Sequence, residues 1–200
     1  QDPAAFDDVL AELKLERSGF LQAYYGCRQD FDAGISDETS YWCRVLASCA
    51  DQQAQSALAG HSPEQNHRRY GKRLADADFR SWCQARPAMH HLVRHLLDGG
   101  VPVAIVSNMP PGKGDRFVAE WPWMERIPHR LFSGDLGLAK PEPGIFRHLL
   151  ECSAWSAENV LFVDDRSENL LPARELGMAV HHFTDEAEAL RVVAEWCQLG

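Results

Sequence analysis

Two short, uninterrupted apolar runs constrain this chain more than any other feature. Val101-Pro102-Val103-Ala104-Ile105-Val106 and Val160-Leu161-Phe162-Val163 carry no polar alternation and are too short for helices. Such runs belong to strands covered on both faces, as in a parallel sheet flanked by helices. Pro102 stands at the beginning of its run, where a missing N–H is tolerated. Arg130-Leu131-Phe132 reads as a weaker strand and Met178-Ala179-Val180-His181-His182 as another strand. Helical patterns separate them. Met89, Leu92, Val93, Leu96 and Leu97 recur at helical spacing and stop at Gly99-Gly100. Ile145, Leu149 and Cys152 mark a second helix, Leu170 to Glu175 a third closed by Gly177, and Ala187 to Trp196 a last. Helices alternating with short apolar strands predict an α/β fold with a doubly wound parallel sheet.

Residues 1–85 read differently, because no strand pattern occurs there. Asp2-Pro3 is a helix-start signal, followed by Phe6, Val9, Leu10 and Leu13 at helical spacing. Asp37 precedes Tyr41, Trp42, Val45, Leu46 and Cys49, again one face of a helix. Asp30-Phe31-Asp32-Ala33-Gly34 reads as a turn, and Pro63 after Gly60-His61-Ser62 begins a new helix. Ala75 to Trp82 reads as one more short helix. Tyr24, Tyr25, Tyr41 and Trp42 are expected in the core of this helical part. The expected organisation is therefore a helical unit over 1–85 and an α/β core over 86–200.

Composition removes several function classes. With 20 Lys plus Arg against 29 Asp plus Glu, the net charge of −9 gives no basic face for nucleic acid. No apolar run approaches the ~20 residues of a membrane span. The six cysteines are scattered with no Cys-x-x-Cys, which suits reduced thiols in the cytoplasm better than disulfides or a zinc site. His91 and His95 have the i, i+4 spacing of a metal pair, yet no third ligand accompanies them.

In open α/β sheets, ligands sit beyond the carboxyl ends of the strands. Ser107-Asn108 follows the first apolar run, and Asp164-Asp165-Arg166-Ser167-Glu168-Asn169 follows the second. Lys140, fixed between Ala139 and Pro141-Glu142-Pro143, lies between them in sequence. A hydroxyl with backbone N–H groups, a lysine and a carboxylate pair suit a phosphoryl group and a hard cation. Each piece has a plainer reading: Ser-Asn as a turn, Lys140 as a solvated loop lysine, Asp165 as a helix cap. Two adjacent acids at the end of a buried strand repel, however, and a cation relieves that. Chain order and strand context favour the joint functional reading.

The same three segments resemble motifs II, III and IV of the haloacid dehalogenase (HAD) superfamily: Val106-Ser107-Asn108, Lys140-Pro141-Glu142-Pro143-Gly144-Ile145-Phe146, and Phe162-Val163-Asp164-Asp165-Arg166-Ser167-Glu168-Asn169. Residues 1–85 resemble that superfamily's small helical C1 cap. Ser107 to Gly137 is similar to the sugar-phosphate phosphatases of the α-D-glucose-1-phosphatase type. The resemblance implies a Mg²⁺-dependent phosphatase acting on a small phosphorylated metabolite. It implies that Ser107 and Asn108 bind phosphate and that Lys140 is catalytic. Asp165 is implied as the direct Mg²⁺ ligand, with Asp164 in the same shell or one step out, and Asn169 as support behind them. Paired acids favour a phosphatase over a dehalogenase.

One motif departs from the family. An apolar strand ending in Asp-x-Asp, which carries the nucleophile, has no match. Phe6-Asp7-Asp8 lacks a strand before it, and Asp30-Phe31-Asp32 follows the polar Tyr25-Gly26-Cys27-Arg28-Gln29. The family places that strand between the strands of motifs II and IV. The expectation is thus a chain truncated just after motif I, its first strand missing and its activity absent. The competing readings are an inactive HAD-like binding domain, and a dehalogenase or phosphomutase on the same core.

Overall fold

The helical unit begins where its caps dictate. In the computed structural model, which describes residues 1–53, 56–84 and 86–198, the Asp2 carboxylate accepts the Ala4 N–H ahead of a short 3₁₀ turn that opens with Pro3. Five helices follow: α1 (Asp7–Leu13), α2 (Arg17–Gly26), α3 (Arg28–Asp32), α4 (Glu38–Gln52) and α5 (Pro63–Trp82). Asp37 caps α4 by accepting the Ser40 N–H. Ser62 and Gln65 form a reciprocal capping box on α5, with Pro63 in the first turn. The apolar stripes meet in one core that includes Phe6, Leu10, Leu13, Phe20, Tyr24, Phe31, Tyr41, Trp42, Leu46 and Leu74. Burying each such side chain fully contributes about 1.5–3 kcal/mol.

Three expectations for this unit need correction. Ala75–Trp82 is no separate helix but the last two turns of the 20-residue α5. Polar His67-Arg68-Arg69 hides the buried stripe of Asn66, Tyr70, Leu74, Ala77, Asp78 and Ser81 that runs its length. Asp30-Phe31-Asp32 lies in α3, and the turn comes at Gly34, whose φ of 73° requires glycine. Tyr25 is half exposed while Tyr24, Tyr41 and Trp42 are buried, because Tyr25 falls on the outer side of α2, where its hydroxyl donates to the Gln1 side chain.

The division falls between Gln84 and Ala85. The second unit runs α6 (Pro87–Asp98), β1 (Ala104–Ser107), α7 (Lys113–Glu120), β2 (His129–Phe132), α8 (Ser133–Leu136), α9 (Pro143–Ser153), β3 (Leu161–Asp164), α10 (Leu170–Glu175), β4 (Ala179–His182) and α11 (Glu186–Trp196). β1 starts later than its apolar run, since Pro102 cannot donate and Gly100 is left-handed. β1 pairs parallel with β2, Ser107 opposite Phe132, and β3 pairs parallel with β4, Asp164 opposite His182. Each parallel pair needs a crossover, which α7 and α10 supply. Among the described residues the pairs form two separate two-stranded sheets, so β1 and β3 each pair on one side only. Ile145, Phe146 and Leu149 of α9 pack with Phe162, Leu131, Leu170 and Ala173 to form the core beneath them.

Candidate active site

The site is built where β1 and β3 end. Lys140 bridges the two sheets: its ammonium donates to the Val106 carbonyl at 2.8 Å and to Asp164 Oδ2 at 2.7 Å. Both side chains are nearly buried, 10% and 5% exposed, so the charges must answer each other. The ammonium also lies 5.7 Å from the Phe162 ring centroid, a favourable cation–π distance. The lysine is held by its backbone. Asn108 Oδ1 accepts the Lys140 N–H at 2.8 Å, and Asn108 Nδ2 donates to the Lys140 carbonyl at 2.7 Å.

Asp164 is equally fixed. Its Oδ1 accepts the Arg166 N–H at 2.9 Å and Asn169 Nδ2 at 2.8 Å, and Asn169 is itself buried. A carboxylate with three donors is held in one orientation. Asp165 is the opposite. Its side chain is exposed, and its carboxylate has no hydrogen-bond or ion-pair partner among the described residues. Only its carbonyl is engaged, by His182 Nε2 at 3.1 Å.

The six residues singled out from sequence are therefore brought together, and they separate into two sets. The Asn108 side chain, Asp164 and Asn169 are committed to one another and to Lys140. The Ser107 hydroxyl, the Asn108 N–H, one of the three Lys140 donors and the Asp165 carboxylate remain without protein partners among the described residues. The first set is tied into the protein; the second keeps open hydrogen-bonding capacity. Sequence reasoning missed the Arg166 N–H and the Val106 carbonyl. Only the strand ends that carry them signalled their place.

The donor set fits magnesium in kind. Asp165 and Asp164 offer hard carboxylate oxygens, and Mg²⁺ is commonly bound by one or two carboxylates with waters completing the shell. Among the described residues no third His, Cys, Asp or Glu joins them in a metal-holding group, and His91 and His95 form no such group either.

A family model for haloacid dehalogenase-like hydrolases matches residues 5–177. The chain belongs to that family. It is 33% identical over 101 residues to the sesquiterpene phosphatase astK of Aspergillus oryzae, covering 48% of this chain and 50% of that protein. It is 41% identical over 59 residues to bifunctional epoxide hydrolase 2 of Rattus norvegicus, covering 30% of this chain and 11% of that protein. The matched stretches thus span half, or about a tenth, of those relatives. A solved HAD family enzyme from Bacteroides thetaiotaomicron, in complex with magnesium and inorganic phosphate, superposes with a TM-score of 0.61 at 16% identity, covering 88% of this chain and 91% of that one. That likeness establishes the α/β fold. The membership establishes a hydrolase. No helix among the described residues is long and apolar enough to cross a membrane.

Proposed function

We propose that this HAD-like hydrolase chain carries the phosphate- and Mg²⁺-binding part of a phosphomonoester phosphatase. The observation that carries this reading is Lys140, held against Asp164 and the Val106 carbonyl with one donor left over. In this reading the Ser107 hydroxyl and Asn108 N–H donate to two phosphate oxygens, and the spare Lys140 donor offsets the charge on the transferring group. Asp165 holds Mg²⁺ directly, and Asp164, tied to Lys140, sits in the same shell or one step out. The bound cation supplies charge neutralisation at the phosphoryl oxygens. Asn169 keeps Asp164 aimed. Residues 1–85 act as a cap of the C1 type, and a small phosphorylated metabolite such as a sugar phosphate is the substrate class. The name of the Aspergillus relative supports a second substrate, a sesquiterpene phosphate. Six free cysteines fit a cytoplasmic setting.

The attacking carboxylate is not part of this assembly. Asp164 is held by three donors and Asp165 has no acid two residues on, so no aspartyl-phosphate chemistry starts from either. The 200 residues alone are therefore expected to bind Mg²⁺ and phosphate without hydrolysing a phosphomonoester. Calorimetry with Mg²⁺ and inorganic phosphate tests the binding, and phosphate release from glucose 1-phosphate tests the inactivity. Asp165→Asn should remove the Mg²⁺-dependent rise in melting temperature; an unchanged rise would sink the metal assignment.

A further inference from the structure

The loop after β1 is held by a second set of contacts that the proposed chemistry does not use. The parallel register sets Ser107 beside Phe132, so the residues just past each strand, Asn108-Met109 and Ser133-Gly134, also lie side by side. Ser133 is completely buried there. Its Oγ accepts the Met109 N–H at 3.0 Å and its hydroxyl donates to the Met109 carbonyl at 3.3 Å. The Gly134 N–H donates to the same carbonyl at 3.0 Å. Asp135 Oδ1 accepts the Gly112 N–H at 2.8 Å. Between the two anchors, Pro110 and Pro111 have no N–H to offer. Gly134 fits only because it lacks a side chain: a Cβ would lie 2.6 Å from the Met109 carbonyl oxygen and 2.7 Å from the Pro110 carbonyl carbon. Those are backbone atoms and cannot turn aside.

The consequence is selective. Of the backbone donors from 108 to 113, Met109 and Gly112 are occupied by this clip and Lys113 by the Pro110 carbonyl. Asn108 alone keeps a free N–H, next to the Ser107 hydroxyl. We propose that Ser133, with Gly134 and Asp135, is a positioning element that fixes the Ser107–Gly112 loop so that the Ser107 hydroxyl and the Asn108 N–H present themselves together to one oxyanion. Ser133 touches no ligand in this role; it acts through Met109. The proposal rests on the phosphatase reading for the identity of the oxyanion, but the clip is measurable without it.

The experiment combines amide hydrogen exchange by NMR with calorimetric titration of inorganic phosphate in the presence of Mg²⁺, on the 200-residue chain. Ser133→Ala is expected to speed exchange at Met109 and Gly134 and to weaken phosphate roughly tenfold to a hundredfold, the scale of losses from small misplacements at a site. Asp135→Ala, at an exposed position, is expected to speed exchange at Gly112 and weaken phosphate less. Asp135→Asn keeps the acceptor oxygen and is expected to restore both. Ser107→Ala is the control for the phosphatase reading. Loss of phosphate binding in Ser107→Ala and in Ser133→Ala supports the proposal. Wild-type phosphate affinity in both Ser133→Ala and Asp135→Ala, or unchanged exchange at Met109 and Gly112, overturns it. If the wild type takes no phosphate, or Ser107→Ala takes it unimpaired, the phosphatase reading falls, and exchange at Met109 and Gly112 alone decides whether the clip exists.

Discussion

Each unit sets an ion pair into its interior, and the two pairs differ in what surrounds them. In the helical unit, Arg28 Nη1 meets Asp78 Oδ1 at 2.8 Å with side chains 12% and 3% exposed. Asp32 takes the Arg28 Nε at 2.6 Å, and the Tyr24 hydroxyl donates to Asp78 Oδ1 at 2.5 Å. The rings of Tyr24, Phe31, Tyr41 and Trp82 surround the guanidinium with centroids 5.3 to 6.0 Å away. Burial works against the Arg28 charge, yet Asp78, Tyr24 and Asp32 outweigh it and hold the guanidinium more firmly protonated than usual. Nothing in that cluster invites a ligand. In the α/β unit, Lys140 and Asp164 are as deeply set, but a lysine donor, the Ser107 hydroxyl and the Asp165 carboxylate beside them stay open. A buried ion pair is thus no mark of a site. Unanswered hydrogen-bonding capacity next to one is.

The largest test of that contrast is Asp78→Ala. It leaves the Arg28 charge buried without its main partner and should cost about 3–5 kcal/mol in urea unfolding. Lys140→Ala should cost clearly less, because Asp164 keeps the Arg166 N–H and Asn169, while phosphate binding disappears. Equal stability losses would erase the distinction. Gly134→Ala pushes a methyl into the backbone of the Met109–Pro111 loop and should cost about 1–3 kcal/mol by overpacking. Among its described residues the helical unit has no matching close approach of backbone to a glycine's absent Cβ, and its weak point is a cap: Asp37→Ala should lower stability by about 1 kcal/mol.

The smallest effect is pH dependence, and it separates the units by sign. Burial lowers the His90 pKa below its ordinary 6.5, where its ring packs edge-on against Trp121 and Trp123. The unfolded chain then binds the extra proton first, so the α/β unit should lose stability as pH falls below about 6.5, and His90→Phe should flatten that slope. Burial raises Tyr24 and Tyr41 well above the usual 10.0, with the Asp78 charge adding for Tyr24 and the neighbouring Tyr24 for Tyr41. Here the folded state keeps the proton, so the helical unit should lose stability as pH rises above about 10. Tyrosinate absorbance checks this: Tyr24 and Tyr41 should ionise only as the fold opens.

Much of this was legible in sequence wherever the signal was local. An apolar run followed by Ser-Asn or Asp-Asp states both a strand and what its end presents, so β1, β3 and all six candidate residues could be found by eye. What stayed hidden depends on chain segments far apart. Nothing in the sequence says that Asn108 grips the peptide of Lys140, 32 residues on, while its own N–H stays open. Nor does it say that Asp164 is committed and Asp165 exposed, since adjacent residues at a strand end differ only by the face they point to. Ser133-Gly134-Asp135 carried a faint cue, their place just after β2, whose meaning appears only once the register with β1 is known. α5 was missed for a plainer reason: its polar composition masks its stripe.

The separateness of the two sheets bears on how the α/β unit assembles. Ala104 pairs with His129 and Leu161 with Ala179, so each sheet closes over a short stretch of chain and can form early from nearby segments. The Lys140 ammonium ties the ends of the two sheets, reaching from the Val106 carbonyl to Asp164. That tie requires both halves in place, so it forms only once they have met. The lysine proposed to meet phosphate is thus also a reporter of when the two halves have met.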